Sequence, residues 1–172
     1  MTGMRNTIFL LLAAAAPPVP PPELLQLKPF LATLSCSGQV EESPLGPARS
    51  SQGTMTGKRD RPGFWVQIRY EEKRGAKHPL ATSSEERWSY DPGQKRFIAL
   101  LWDSFGGYGS GASPGWEGDS LVWTGEVTMN GQKVPYRQTF TREKDGSLDE
   151  TWEMQINGAW TRLTSGTCKP RD

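Results

Sequence analysis

The sequence has one histidine, two cysteines and almost no net charge, and each scarcity removes a class of function. A lone His with two Cys cannot supply the clustered ligands of a zinc site, so no metal is expected. With 20 Lys+Arg against 19 Asp+Glu there is no basic footprint for nucleic acid or for an anionic membrane surface. Long apolar runs are also missing, apart from one at the N-terminus. What is there suits a single ordinary domain: 172 residues, of which 35% are apolar, enough for a core and too many for wholesale disorder.

Met1–Asn6 carries only Arg5, and Thr7–Ala16 carries no charge. A short basic start, about ten apolar residues and an Ala-rich exit (Ala13-x-Ala15) read as a secretory signal peptide over 1–16. The run falls well short of the roughly 20 residues of a permanent transmembrane helix, so no stable membrane span is expected after cleavage. No Cys follows the run, and a lipid anchor is not indicated. Pro17-Pro18-Val19-Pro20-Pro21-Pro22 reads as a stiff spacer over 17–22, which leaves 23–172 as the folded domain. The expected location is periplasmic or secreted. Loss of the leader removes Arg5 and no acid, so the mature chain is formally neutral.

Export would put Cys36 and Cys168 in an oxidising compartment, where a single pair is most simply a disulfide. The two are 132 residues apart. Closing so long a loop is worth on the order of 4–5 kcal/mol in the chain-entropy model. The alternative, a nucleophilic thiol, needs a base, and the one His, His78, stands in a loop-like Lys77-His78-Pro79 setting.

Turn chemistry is the strongest signal after the leader. Asp91-Pro92-Gly93, Asn130-Gly131, Asp145-Gly146 and Asn157-Gly158 each separate β-rich runs. The runs alternate with the two-residue period of a strand: Phe64, Val66, Ile68 and Tyr70 against Trp65, Gln67, Arg69 and Glu71, for example. This patterning predicts ten strands, near 33–41, 50–58, 63–73, 83–91, 95–103, 107–113, 119–129, 132–142, 147–156 and 159–168. One short helix is expected over Glu23–Lys28, started by Pro22 and stopped by Pro29. Pro135 implies a bulge or an edge-like position. In an even-stranded meander that closes, the start of the first strand and the end of the last share a rim. Cys36 and Cys168 occupy those places, so an all-β, antiparallel up-and-down barrel is preferred to an open sandwich.

Gly63-Phe64-Trp65-Val66-Gln67-Ile68-Arg69-Tyr70-Glu71-Glu72, Trp88-Ser89-Tyr90-Asp91, Asp103-Ser104-Phe105-Gly106-Gly107-Tyr108, Gly115-Trp116-Glu117-Gly118-Asp119 and Trp123-Thr124-Gly125 resemble segments of an uncharacterised bacterial lipocalin-like family. That family is related in shape to nitrobindin-type ten-stranded barrels, and the similarity spans roughly 24–169. Such barrels often open on Leu-x-Gly-x-Trp; Leu31-Ala32-Thr33-Leu34-Ser35 has neither the Gly nor the Trp, and with them goes any ligand contact of that Trp. Nitrobindin-like proteins hold haem through a His. The resemblance could carry this only onto His78, a poor match, so no cofactor is expected.

Gly106-Gly107-Tyr108-Gly109-Ser110-Gly111 lacks the Lys-Ser/Thr of a phosphate loop and reads as a glycine-lined bend between tightly packed strands. The seven Trp are core fillers or the wall of a ligand cavity. With the apolar face inward, the wall candidates are Phe64, Tyr70, Trp88, Trp123, Tyr136 and Trp152; with the polar face inward, Trp65, Gln67 and Arg69 take their place. The acidic pairs Glu71-Glu72, Glu85-Glu86 and Asp149-Glu150 read as solvated, since adjacent strand residues point to opposite faces. The leading expectation is an exported barrel that binds a small apolar or amphipathic ligand without catalysis. Two alternatives stand: a small envelope enzyme on a lipid-like or sugar-like substrate, marked by a cavity carboxylate of perturbed pKa, and a structural or partner-binding protein, marked by an exposed apolar patch.

Overall fold

The computed structural model describes residues 17–44, 46–75 and 81–171. Residues 1–16, read above as a signal peptide, and His78 therefore lie outside the described residues, and 17–21 form no regular element. After a 3-10 helix at Pro22–Phe30 come eleven strands: β1 Thr33–Val40, β2 Arg49–Arg59, β3 Val66–Glu72, β4 Ser83–Asp91, β5 Arg96–Asp103, β6 Tyr108–Ser113, β7 Trp116–Glu117, β8 Ser120–Met129, β9 Gln132–Arg142, β10 Leu148–Ile156 and β11 Ala159–Pro170. All neighbours are antiparallel. The two-residue β7 pairs only with the start of β8, and β6 pairs directly with β8. With β1 beside β11, the remaining ten strands form a closed barrel.

The predicted meander is thus the observed one, and its hairpins follow from the turn residues. Asn130-Gly131 and Asn157-Gly158 all have positive φ, the requirement of the two-residue turns that join β8 to β9 and β10 to β11. Pro135 lies one residue past the last β9–β10 pair, Met154↔Tyr136, so it occupies an edge-like position on that side. The register shift falls instead between Trp152 and Glu153, where β10 meets β11. Cys36 and Cys168 are direct cross-strand partners and are disulfide-bonded, stitching the first strand to the last.

Ring closure depends on two Gly–Gly pairs, Gly38↔Gly166 between β1 and β11 and Gly111↔Gly125 between β6 and β8. The first joins the two ends of the chain, and the second joins strands between which the short β7 intervenes. A Cβ on Gly38 would sit 2.2 Å from the Ser165 carbonyl oxygen, and one on Gly125 2.0 Å from that of Ser110. Strands this close on the inner face bend the sheet sharply, and no side chain fits between them.

The helix plugs one end. Leu24, Leu27 and Phe30, spaced by three, all face inward and are fully buried, the period of a 3-10 helix rather than an α-helix. The expected stop at Pro29 does not occur, because the helix continues to Phe30. Pro29 has no N–H for the Gln26 carbonyl three residues back, and that oxygen instead accepts the Trp116 indole N–H at 2.9 Å. Phe30 meets Trp88 and Phe140 edge-on, with centroids 4.8 and 4.9 Å away, and Trp88 in turn lies 4.8 Å from Trp123.

Gly38→Ala should lower the unfolding free energy by about 3 kcal/mol, an overpacking cost against backbone that cannot move aside. Gly75→Ala, with open space around it, should change little. Urea unfolding of the two disulfide-intact variants measures the difference.

Candidate functional site

Strand parity settles which face is the interior. On β3, Val66 and Ile68 are buried and Tyr70 is half-buried. Gln67 and Arg69 lie outside in a polar ladder with Glu71 and Glu85. The apolar face therefore points inward. Of the six wall candidates, Trp88, Trp123 and Tyr136 are fully buried, while Tyr70 and Trp152 are half-buried. Phe64 precedes β3, is half-buried, and presents its carbonyl to the Ser89 hydroxyl at 2.7 Å. Trp88 and Trp123 belong to the packed aromatic end beside the helix. Tyr136 and Trp152 stack on each other with centroids 4.6 Å apart and planes 6° from parallel.

The same parity overturns the reading of the acidic pairs as wholly solvated. One acid of each pair shares its strand face with an inward aromatic: Glu86 with Trp88, Glu150 with Trp152, Glu72 with Tyr70. Glu72 is neutralised by Arg49, whose guanidinium binds both its carboxylate oxygens. Burial pushes the Glu72 carboxyl up, but the Arg49 hydrogen bond and the Thr82 backbone N–H outweigh it and hold the pKa below the usual range.

Glu86 on β4 and Glu150 on β10 have no such cation among the partners of their carboxylates. They meet across the barrel at Gln138 of β9, whose Nε2 donates to Glu150 Oε1 at 2.7 Å and to Glu86 Oε1 at 3.5 Å. The other Glu86 oxygen accepts the Trp88 indole N–H at 2.7 Å. Burial pushes the Glu86 carboxyl up to about 7, and the nearby Glu150 charge adds to the shift; the Trp88 and Gln138 hydrogen bonds oppose it. Burial raises Glu150 as well, against the Gln138 hydrogen bond. The Tyr136 phenol is raised by burial and by the Glu86 charge, and the Tyr70 phenol, hydrogen-bonded to Ser51 at 3.0 Å, is raised mainly by burial.

Three buried polar atoms here have no hydrogen-bond partner: Tyr136 Oη, Gln138 Oε1 and Trp123 Nε1. A cleft of about 590 Å³ runs along β10, β11, β1 and β2. Its lining includes Glu150 and Ser51 from the interior set, the Gly38–Gly166 seam, and hydroxyl and amide side chains such as Ser37, Gln52 and Thr167. None of the six wall candidates lines it. Elsewhere on the surface, Leu100, Trp102 and Tyr108 of β5 and β6 and Phe105 in the turn between them are exposed. Among the described residues there is no group of three or more His, Cys, Asp or Glu placed to hold a metal, and no helix long and apolar enough to cross a membrane.

No family model matches the sequence, and neither does any curated protein. The fold does have solved counterparts. One is the crystal structure of Rv2717c from M. tuberculosis, with a TM-score of 0.71 and 12% identity over 90% of this chain and 100% of that one. At that identity the likeness concerns the barrel alone.

Glu86 carries a consequence for stability. Its folded pKa of about 7 lies above the ordinary 4.5, so the folded state is favoured by protonation. Its contribution is fully present below about pH 4.5 and lost as pH rises through 7, by at most about 3 kcal/mol. The thermal midpoint should therefore fall between pH 5 and 8. Glu86→Gln should flatten that slope and be the more stable protein at pH 8. An unchanged slope in thermal melts of the variant would contradict the assignment.

Proposed function

We propose that the protein is an exported barrel that binds a small apolar or amphipathic molecule, held by burial of apolar ligand surface at about 25 cal/mol per Å² and oriented by a few polar groups. The observation that carries this reading is the unfinished polar chemistry of the interior. Carboxyl groups without a cation and donors and acceptors without partners, inside a closed wall, form a recognition surface that the fold itself does not use. The half of the barrel away from the helix is where the ligand belongs, since Trp88, Trp123 and Phe30 fill the other half. Export rests on the leader at 1–16 and on the disulfide, a bond at home in an oxidising compartment.

A second reading is favoured by the acid pair itself. Two carboxyl groups on one amide nitrogen, one of them titrating near neutrality, meet the needs of a general acid and a general base acting on a lipid-like or sugar-like substrate.

Native mass spectrometry of the protein purified without denaturant separates these readings. The binding function expects a disulfide-closed chain that begins after Ala16 and carries a non-covalent small molecule. The bare polypeptide, with no Trp fluorescence response to a panel of apolar and amphipathic compounds, would count against it.

A further inference from the structure

The interior acids also narrow the ligand's chemistry, an inference that rests on the binding function just proposed. Glu86 and Glu150 reach the same spot from strands on opposite sides of the ring, so neither is there by accident of local sequence. Arg49, whose guanidinium pairs with the inward-facing Glu72, is committed to that acid. The one group between the acids, Gln138, is 3% exposed and spends its N–H donors on both of them. Its own oxygen, Oε1, is left buried without a partner. Tyr136, 1% exposed and two residues away on the same strand face, also has an unpartnered hydroxyl. A buried polar atom without a partner is costly, and although Gln138 Nε2 and the Trp88 indole donate to the two carboxyls, the remaining carboxylate lone pairs and Gln138 Oε1 are still open to a donor from outside.

We propose that Glu86, Glu150 and Gln138 Oε1 bind the protonated amine of a small organic cation, whose apolar body lies toward the Tyr136–Trp152 stack. A primary ammonium offers three N–H donors and one positive charge, which matches three acceptor groups and an acid pair without a counter-ion. A carboxylate or phosphate head would face two carboxyl groups with no cation to offset them. A neutral alcohol could satisfy one acceptor but would leave the charge unbalanced. Access is also consistent with this head group, because Glu150 and Ser51 line the open cleft and so form the point where the interior set meets solvent.

The test follows the Trp88 indole N–H, which is bonded to Glu86, by ¹⁵N NMR of the full folded protein. It is titrated with 4-phenylbutylamine, with 4-phenylbutanol and 4-phenylbutyrate as the neutral and anionic counterparts of like size. The amine should shift this resonance saturably, and the other two should bind at least about tenfold more weakly. Glu86→Gln and Glu150→Gln should each weaken amine binding by about tenfold or more while keeping the disulfide and a thermal midpoint no lower than the parent's at pH 8. Equal binding of the alcohol or the acid would overturn the cationic head group and leave the binding barrel standing. Amine binding unchanged in both Gln variants would overturn the assignment of these residues. Saturation by calcium ions with no response to the amine would replace the organic cation by a metal ion and overturn the inference too. No response to any probe would likewise overturn it, while a ligand retained in native mass spectrometry would still support the wider reading.

Discussion

Everything in this molecule depends on the sheet meeting itself. A strand edge left open exposes unpaired N–H and C=O groups, and closure satisfies them. Nine of the ten joins in the ring are helped by sequence proximity or by the glycine approach between β6 and β8; the last, between β1 and β11, joins the two ends of the chain. There, the Gly38–Gly166 approach allows the bend and the Cys36–Cys168 bond holds the partners in register. Closure in turn creates the interior, because it sets β4 facing β9 and β10. Glu86 and Gln138, 52 residues apart in sequence, touch only for that reason.

The interior so formed has two characters. Near the helix it is an aromatic solid, where Phe30, Trp88, Trp123 and Phe140 interlock and Phe97 packs edge-on against Trp123. Away from the helix it is polar at its centre. A buried carboxylate without a cation is a cost to folding, and Gln138 and the Trp88 indole offset only part of it. A protein built for stability alone would place apolar residues at 86 and 150. Their presence is the physical argument that the site serves something other than the fold.

Much of this was legible in the sequence. The strands and their order followed from two-residue alternation and from turns such as Asn130-Gly131, because both are local effects. The closure followed from the positions of Cys36 and Cys168. The helix was legible in position but not in type: the three-residue spacing of Leu24, Leu27 and Phe30 marks a 3-10 helix, and Pro29 is tolerated because the freed Gln26 carbonyl is taken by Trp116, ninety residues on from Gln26. The acids were the main loss. The pairs Glu85-Glu86 and Asp149-Glu150 look like solvated charge, yet alternation from Trp88 and Trp152 places the second acid of each inside. That local signal was present; that the two would meet at Gln138 was not, since it depends on the tilt and curvature of the closed ring.

The central claim is that closure brings Glu86 and Glu150 together inside the ring, Glu86 buried and Glu150 half-buried where the cleft reaches it. Its most direct test is an NMR titration of the glutamate side-chain carboxyl carbons in the intact protein. The account expects Glu86 to titrate near pH 7 and Glu150 above the ordinary carboxyl range, each responding to the other's ionisation. Two independent midpoints near 4.5 would mean that both acids are in water, and the interior site described here would not exist.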